Sequence, residues 1–420
     1  MRQQQLRHLL ALSFGSGLVV LASAASAGAQ NVVDGTGCPD IDVPAVQAAV
    51  DLGGEVILRG HFSFDAEPTV PTALPTPYLP AAMVLVSRPV TISGAPDASG
   101  EMASIEAGTI PFYVEAPGAS VSIQGLRFVR PKGEGILVYR VSGLVIASCK
   151  FEGVDLLGPR VSVAIAIATS DMSPPGHPEN ISGTLLIVNN DIDMSAPADV
   201  LTLGIIIFYV GVPGAEVEAY VSGNVIRNFH ERAIEFRGVG GRTYVEGNVI
   251  GTGTVPGPNI GALQPILVAD PSSSNSYLIA HNSIDVQWAT GSAAGISVRQ
   301  SIAHAIVVDN DVNMNAPEGT VFDDRSAGIE IGNCCVPSDA HDNVVLNNTI
   351  RGRARAALSV AQVGVGVANN AFVLNRFDDF EPTLADVFVG EGVMNTLIVG
   401  QGTVDDHGIG TVIVPVGPQN

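Results

Sequence analysis

Lysine is nearly missing from this 420-residue chain, which carries only Lys132 and Lys150. A lysine general base is therefore improbable, and a lyase built on this sequence would need Arg, His or Tyr. Aromatic residues are also scarce, with 1 Trp and 7 Tyr, and charged residues make up 15%. Positive charge is in deficit: 20 Lys and Arg stand against 41 Asp and Glu, a formal net charge of −21. A surface this acidic repels nucleic acid and anionic membranes at long range. It also counts against an unaided polyanionic substrate such as pectate or alginate, unless calcium bridges the two. The sequence has no Cys/His zinc spacing, phosphate-cradling Gly loop or Gly-x-Ser-x-Gly elbow. Beyond the N-terminus no apolar run is long enough for a membrane helix, so membrane insertion is not expected.

The N-terminus carries Arg2 and Arg7, an apolar run from Leu9 to Ala22, and small residues ending Ala27-Gly28-Ala29. That order is a signal peptide over residues 1–29, and it implies a secreted, extracellular or periplasmic protein. What remains is rich in Gly (47 residues), Val and Ile, as expected for short strands joined by tight turns.

One phrase returns down the chain: alternating apolar residues, an Asn, one residue, then Ile, Val or Phe. The Asn positions are 190, 224, 248, 282, 310, 348 and 375; Leu126 and Cys149 occupy the position earlier, and Gly402 later. From Asn224 onward the spacing varies between 24 and 38 residues. A second phrase alternates with the first: a small residue, Ile, any residue, then Val or Ile. Gly204-Ile205-Ile206-Ile207 and Gly328-Ile329-Glu330-Ile331 are examples. Period-two apolarity means strands with one buried face. An Asn recurring in register can stack its amide on the next.

These residues resemble the pectin-lyase-like right-handed parallel β-helix superfamily, with no specific enzyme family matched. The resemblance implies an all-β solenoid of about ten three-strand coils. It also implies a short capping helix at the amphipathic stretch Val43 to Leu52, before Gly53-Gly54-Glu55-Val56-Ile57-Leu58. The expected divisions are residues 30–60 for the cap and first strand and 61–420 for the β-helix. The Asn then lies between second and third strands, and the variable gap is a long loop before the first strand. Family enzymes usually bind sugars on the outward face of that first strand. Polygalacturonase-like hydrolases carry an Asn-Thr-Asp, an Asp-Asp, a Gly-His-Gly and an Arg-Ile-Lys. This chain has Asp323-Asp324, Asp378-Asp379 and Asp405-Asp406 but none of the other three motifs.

On that face the early coils would present Leu137, Tyr139, Ala166, Ala168, Ile206 and Phe208. Such a strip needs a cover. Its own loops, including Pro68 to Pro80, are the expected cover, and a second subunit is the alternative. The middle coils would present Glu235, Arg237, Ser297, Arg299 and Glu330, preceded by His230-Glu231-Arg232. His230, Glu231, Glu235, Arg237, Arg299 and Glu330 are the candidate catalytic residues: carboxylates and His for acid–base work, Arg for a sugar carboxylate. The competing reading is a solvated charge cluster. Glu235 and Glu330 lie three coils apart, about 14 Å, whereas a hydrolytic pair needs about 5 to 9.5 Å. A nearer partner such as Glu231 would be required.

No cofactor is identified. Calcium is conceivable at Asp191, Asp193, Asp285, Asp309, Asp311 or Asp323-Asp324, although a solvated acidic edge is the plainer reading. Stacking separates Cys38 from Cys334 beyond disulfide reach, Cys149 reads as a buried thiol, and only Cys334-Cys335 are close enough to pair, as a strained vicinal bridge, with two free thiols the alternative. Three functions fit: binding and processing of an extracellular polysaccharide on the first-strand face, a non-catalytic scaffold or adhesin, or an oligomer joined through the apolar face. Monomer and homo-oligomer both remain open.

Overall fold

The computed structural model describes residues 30–73, 81–97, 99–155, 161–170, 177–196, 200–251, 263–288, 292–322, 326–332, 339–361, 366–400 and 402–416. Residues 1–29, expected to be a signal peptide, Asp323-Asp324 and Cys334-Cys335 lie outside them. Among the described residues no helix is long and apolar enough to cross a membrane.

Every coil of the repeat runs parallel to the one before it, and the chain winds into a right-handed parallel β-helix. The second strands form a 14-stranded sheet that starts at Asn31–Asp34 and ends at Val412–Pro415. The third and first strands form two parallel ladders, which join into one 21-stranded sheet near the C-terminal end. They join because the long loop between them disappears: single strands, Thr349–Val360 and Arg376–Val389, there serve both roles.

The core follows from the alternation. One inward column in the third-strand ladder reads Phe62, Ile105, Phe128, Phe151, Ile192, Ile226, Ile250, Ile284, Val312, Ile350. Phe128 and Phe151 stack at 4.8 Å between centroids. These side chains belong to a single apolar cluster running from Val46 to Ile398. The N-terminal end of that cluster is closed by the helix Pro39–Leu52, which buries Val46, Ala49 and Val50. The helix begins before the expected Val43 because Pro39 sits in its first turn, where the missing N–H costs nothing, with Asp40 and Asp42 close behind.

The Asn ladder is a buried hydrogen-bond chain. Asn224 Oδ1 accepts the backbone N–H of Asn190 at 3.0 Å and its Nδ2 at 2.9 Å, and the pattern continues through Asn248, Asn282, Asn310, Asn348 and Asn375. Cys149 occupies the ladder position as expected: its N–H donates to Asn190 Oδ1, and burial pushes its thiol up to about 12. A second, shorter ladder joins Asn343 to Asn370.

The residue before each ladder position turns the chain through a left-handed backbone conformation. Gly223, Gly247, His281, Asp309 and Asn347 all show φ between 53° and 64° there. Leu374, with φ 52°, does the same without glycine's freedom or a short polar side chain, and it is 40% exposed. Leu374→Gly is expected to stabilise the fold by about 1 kcal/mol, because the left-handed penalty for an L-residue is removed. A urea midpoint that stays level or falls would contradict this.

Candidate functional site

The outward face of the first-strand ladder is built from register columns. One reads Leu85, Tyr113, Leu137, Ala166, Ile206, then Glu235, Leu267, Ser297, Glu330, Ser359. The column beside it reads Ala168, Phe208, Arg237, Ala269, Arg299. A third sets Leu203 beside Arg232, and Gln264 follows in the next coil. The first part of this face is apolar and the middle part is charged, as the alternation in the sequence implied.

The apolar part is covered within the chain. Leu137, Ala166, Ala168, Ile206 and Phe208 are at most 1% exposed, and they cluster with Ala82, Ile110 and Val70. Ala73 N–H donates to the Tyr113 hydroxyl at 3.1 Å; residues 74–80 of the expected Pro68–Pro80 cover lie outside the described residues. Among the described residues these apolar positions form no bare strip.

The charged part is buried too, which corrects the reading of a solvated cluster. Glu330 is 0% exposed, Glu235 2%, Arg299 5% and Arg232 6%. Removing these charges from water is costly, so the fold pairs them. Glu330 Oε1 accepts from Arg299 Nε at 2.8 Å, Ser297 Oγ at 2.5 Å and Gln264 Nε2 at 3.1 Å, and it also pairs with Arg299 Nη2. Glu235 Oε1 accepts from Arg237 Nε at 2.6 Å and Nη2 at 2.5 Å. Arg232 pairs with Glu231 at 2.8 Å, and its guanidinium also feels Glu235, Arg299 and Arg237. The Arg237 guanidinium lies 5.4 Å from the Phe208 ring centroid, where the apolar and charged parts meet.

Two groups at the rim carry shifted protonation. Burial, with Glu235 adding to it, raises the Glu231 carboxyl above the ordinary range against the pull of Arg232 and Arg237. Burial lowers His230, so its imidazole tends to stay neutral. His230 Nδ1 meets Thr202 Oγ1 at 2.9 Å, the Val200 backbone also bonds the ring, and the buried Nε2 has no hydrogen-bond partner among the described residues. A carboxyl raised by burial and an imidazole lowered by it are both shifted toward the range useful for proton transfer. Glu235 and Glu330 are three register steps apart, so their separation of about 14 Å stands.

The structure therefore gathers Glu231, Glu235, Arg237, Arg299 and Glu330 into two linked ion-pair groups, with His230 at the edge. Sequence reasoning missed Gln264 and Ser359. Gln264 belongs to the face through Arg232, yet the loop of variable length before it hides its register. Of the other acidic candidates, Asp191 and Asp193 are tied to Arg227, Asp311 to Arg351, and Asp309 to Asn347. Among the described residues, no three carboxylate, His or Cys groups are gathered at a metal-sized site.

No family model matches the chain, and no curated protein matches it. Solved structures similar to it are parallel β-helices. The surface adhesin PfbA of Streptococcus pneumoniae is 13% identical, with 90% of this chain and 91% of that one covered at a TM-score of 0.49. The A-module of a mannuronan C-5 epimerase from Azotobacter vinelandii is 11% identical, with coverage of 93% and 98% and a TM-score of 0.46. The Dettilon tailspike protein is 12% identical, with coverage of 86% and 69% and a TM-score of 0.43.

Proposed function

We propose that this is an exported β-helix protein that binds a polysaccharide on the first-strand face, with Glu231, Arg237 and His230 at the rim and Glu235, Arg299 and Glu330 beneath. One observation supports the reading. The columns that the early coils fill with Leu, Ala, Ile and Phe carry buried Glu235, Arg299 and Glu330 in the middle coils, interspersed with Leu267, Ala269 and Ser297. Apolar residues serve burial there at no desolvation cost, so charge at the same positions points to use rather than to stability. At the rim, the Glu231 side chain is 21% exposed and that of Arg237 28%. On this reading Arg237 donates to a sugar oxygen and Glu231 gives a proton, with His230 beside them at the rim.

The test is a polysaccharide panel run against the purified chain with and without calcium, following retention, reducing ends and unsaturated products. Arg237→Ala is expected to weaken retention about tenfold, the worth of one charge-assisted hydrogen bond. Glu231→Gln keeps an acceptor for Arg232 and is expected to lower any turnover by about 10²-fold. Because the Glu231 carboxyl is raised, turnover that uses its proton should persist above the ordinary carboxyl range and fall as pH rises further. Neither retention nor turnover on any glycan would sink this reading. A non-catalytic rod, which the burial and ion pairing of Glu330 favour, would then be the better account.

A further inference from the structure

The outer face of the 14-stranded sheet changes character along the molecule. Alternate residues of the second strands point outward, and parallel pairing sets them in register columns. In the early coils one column holds Thr91 and Ser122, with Ser93 and Gln124 in the column beside it. Further along, the first column reads Leu278, Ile306, Val344, Ala371, Leu397, Val412. Its neighbour runs from Ala280 to Val414 over the same coils and holds only Ala, Val and Leu. Five steps of about 4.8 Å make this uncharged strip about 24 Å long. Among the described residues its side chains join neither apolar cluster of the chain. All but Ala280 are half-buried or exposed, Leu397 by 37% and Val412 by 54%.

Ser, Thr and Gln serve these positions in the early coils, so the fold does not require apolar residues there. Parallel sheets are ordinarily covered on both faces, and an apolar patch of a few hundred Å² usually marks a contact. The charges around the strip argue for a second copy as the cover. A chain of net charge −21 can approach its own kind closely only through uncharged surface. At the rim where the strands begin stand His304 and His341, the latter paired with Asp342 at 2.8 Å. At the rim where they end stand His281, Asp309 and Asn347, with Asp309 accepting from Asn347. A two-fold axis parallel to the β-helix axis lays the first rim of one copy over the second rim of the other. The exposed His304 then faces the exposed Asp309 of the second copy, and an imidazole can donate to a carboxylate. A two-fold axis along the strands instead lays each rim on itself, Asp309 side against Asp309 side, which like charges disfavour.

We propose that two copies of this chain pack side by side through this strip, as a two-fold dimer whose β-helices point the same way. The two sheets meet face to face with their Val, Ile and Leu side chains interleaved, as aligned sheets do. A strip of a few hundred Å² lies at the small end of specific interfaces, so the dimer is weak and reversible. The first-strand face is on another sheet and stays open in both copies.

Sedimentation velocity of the purified chain over a wide concentration range tests this. The dimer fraction should rise with concentration. Ile306→Gln, Val344→Gln together should weaken the dimer at least about tenfold, because two apolar side chains leave the contact. Leu397→Gln, at an exposed position, should weaken it as well and keeps the test open if the double variant does not fold. Ser122→Ala, among the polar early coils, should leave it unchanged. Small-angle scattering reads the arrangement. The strip occupies the C-terminal part of the sheet, so copies pointing the same way overlap fully and the dimer is no longer than one chain. Copies pointing opposite ways overlap only in that part and make a longer particle. A chain that stays monomeric throughout, a dimer that Leu397→Gln does not weaken, or a dimer longer than the monomer would overturn the proposal.

Discussion

Glu330→Ala is expected to destabilise the fold by about 3–5 kcal/mol, the usual cost of leaving a buried charge without its partner. Glu330 is 0% exposed and gathers Arg299, Ser297 and Gln264 on one carboxylate oxygen. Alanine would strand the Arg299 guanidinium, itself 5% exposed, with no counter-charge. Glu330→Gln keeps an oxygen for those donors but loses the charge, so its loss should be smaller. The double variant Arg299→Met, Glu330→Leu should recover most of the stability, because neither charge then stays buried. A useful reference is Arg351→Ala, whose bridge to Asp311 is 45% exposed on both sides and should be worth under about 1 kcal/mol. If urea midpoints put Glu330→Ala level with Arg351→Ala, the face would be solvated and the pairing unimportant.

Asn282→Ala should have the second large effect, about 3 kcal/mol or more. Asn282 Oδ1 accepts the backbone N–H and Nδ2 of Asn248, while its own Nδ2 donates to Asn310 Oδ1 and to the Val245 carbonyl. Alanine would orphan donors and acceptors on both neighbouring coils in a site that water does not reach. Asn375→Ala, at the end of the ladder, removes one side of the chain only, and Asn375 is already 8% exposed. Its expected loss is about half as large. Equal losses at the two positions would show that each Asn acts alone and not as part of a connected network.

Both effects were unequally visible beforehand. The ladder was legible because stacking demands the same residue type at the same point of each coil, so the physics writes itself into the repeat. Asn343 and Asn370 escaped notice, although each stands five residues before a ladder Asn. A two-member ladder is too short to establish a period. The helix was legible from Val43 to Leu52, but its start at Pro39 depended on turn chemistry, where the apolar pattern is silent. The outward placement of Glu235, Arg237, Arg299 and Glu330 followed from alternation within single strands. The place of Gln264 did not, because loops of variable length break the count between strands.

By itself, the sequence determined the parallel β-helix, its three-strand coil, the Asn turn and the change from apolar to charged residues along one face. All of these are local or periodic, set by side-chain alternation and by which residues tolerate a left-handed turn. Tertiary structure alone decided that the charged face is buried and paired and that the apolar face is covered from within. Burial and pairing depend on which coils stack and on what folds over them. Such quantities belong to relations between coils, and a single pass along the chain holds no record of them.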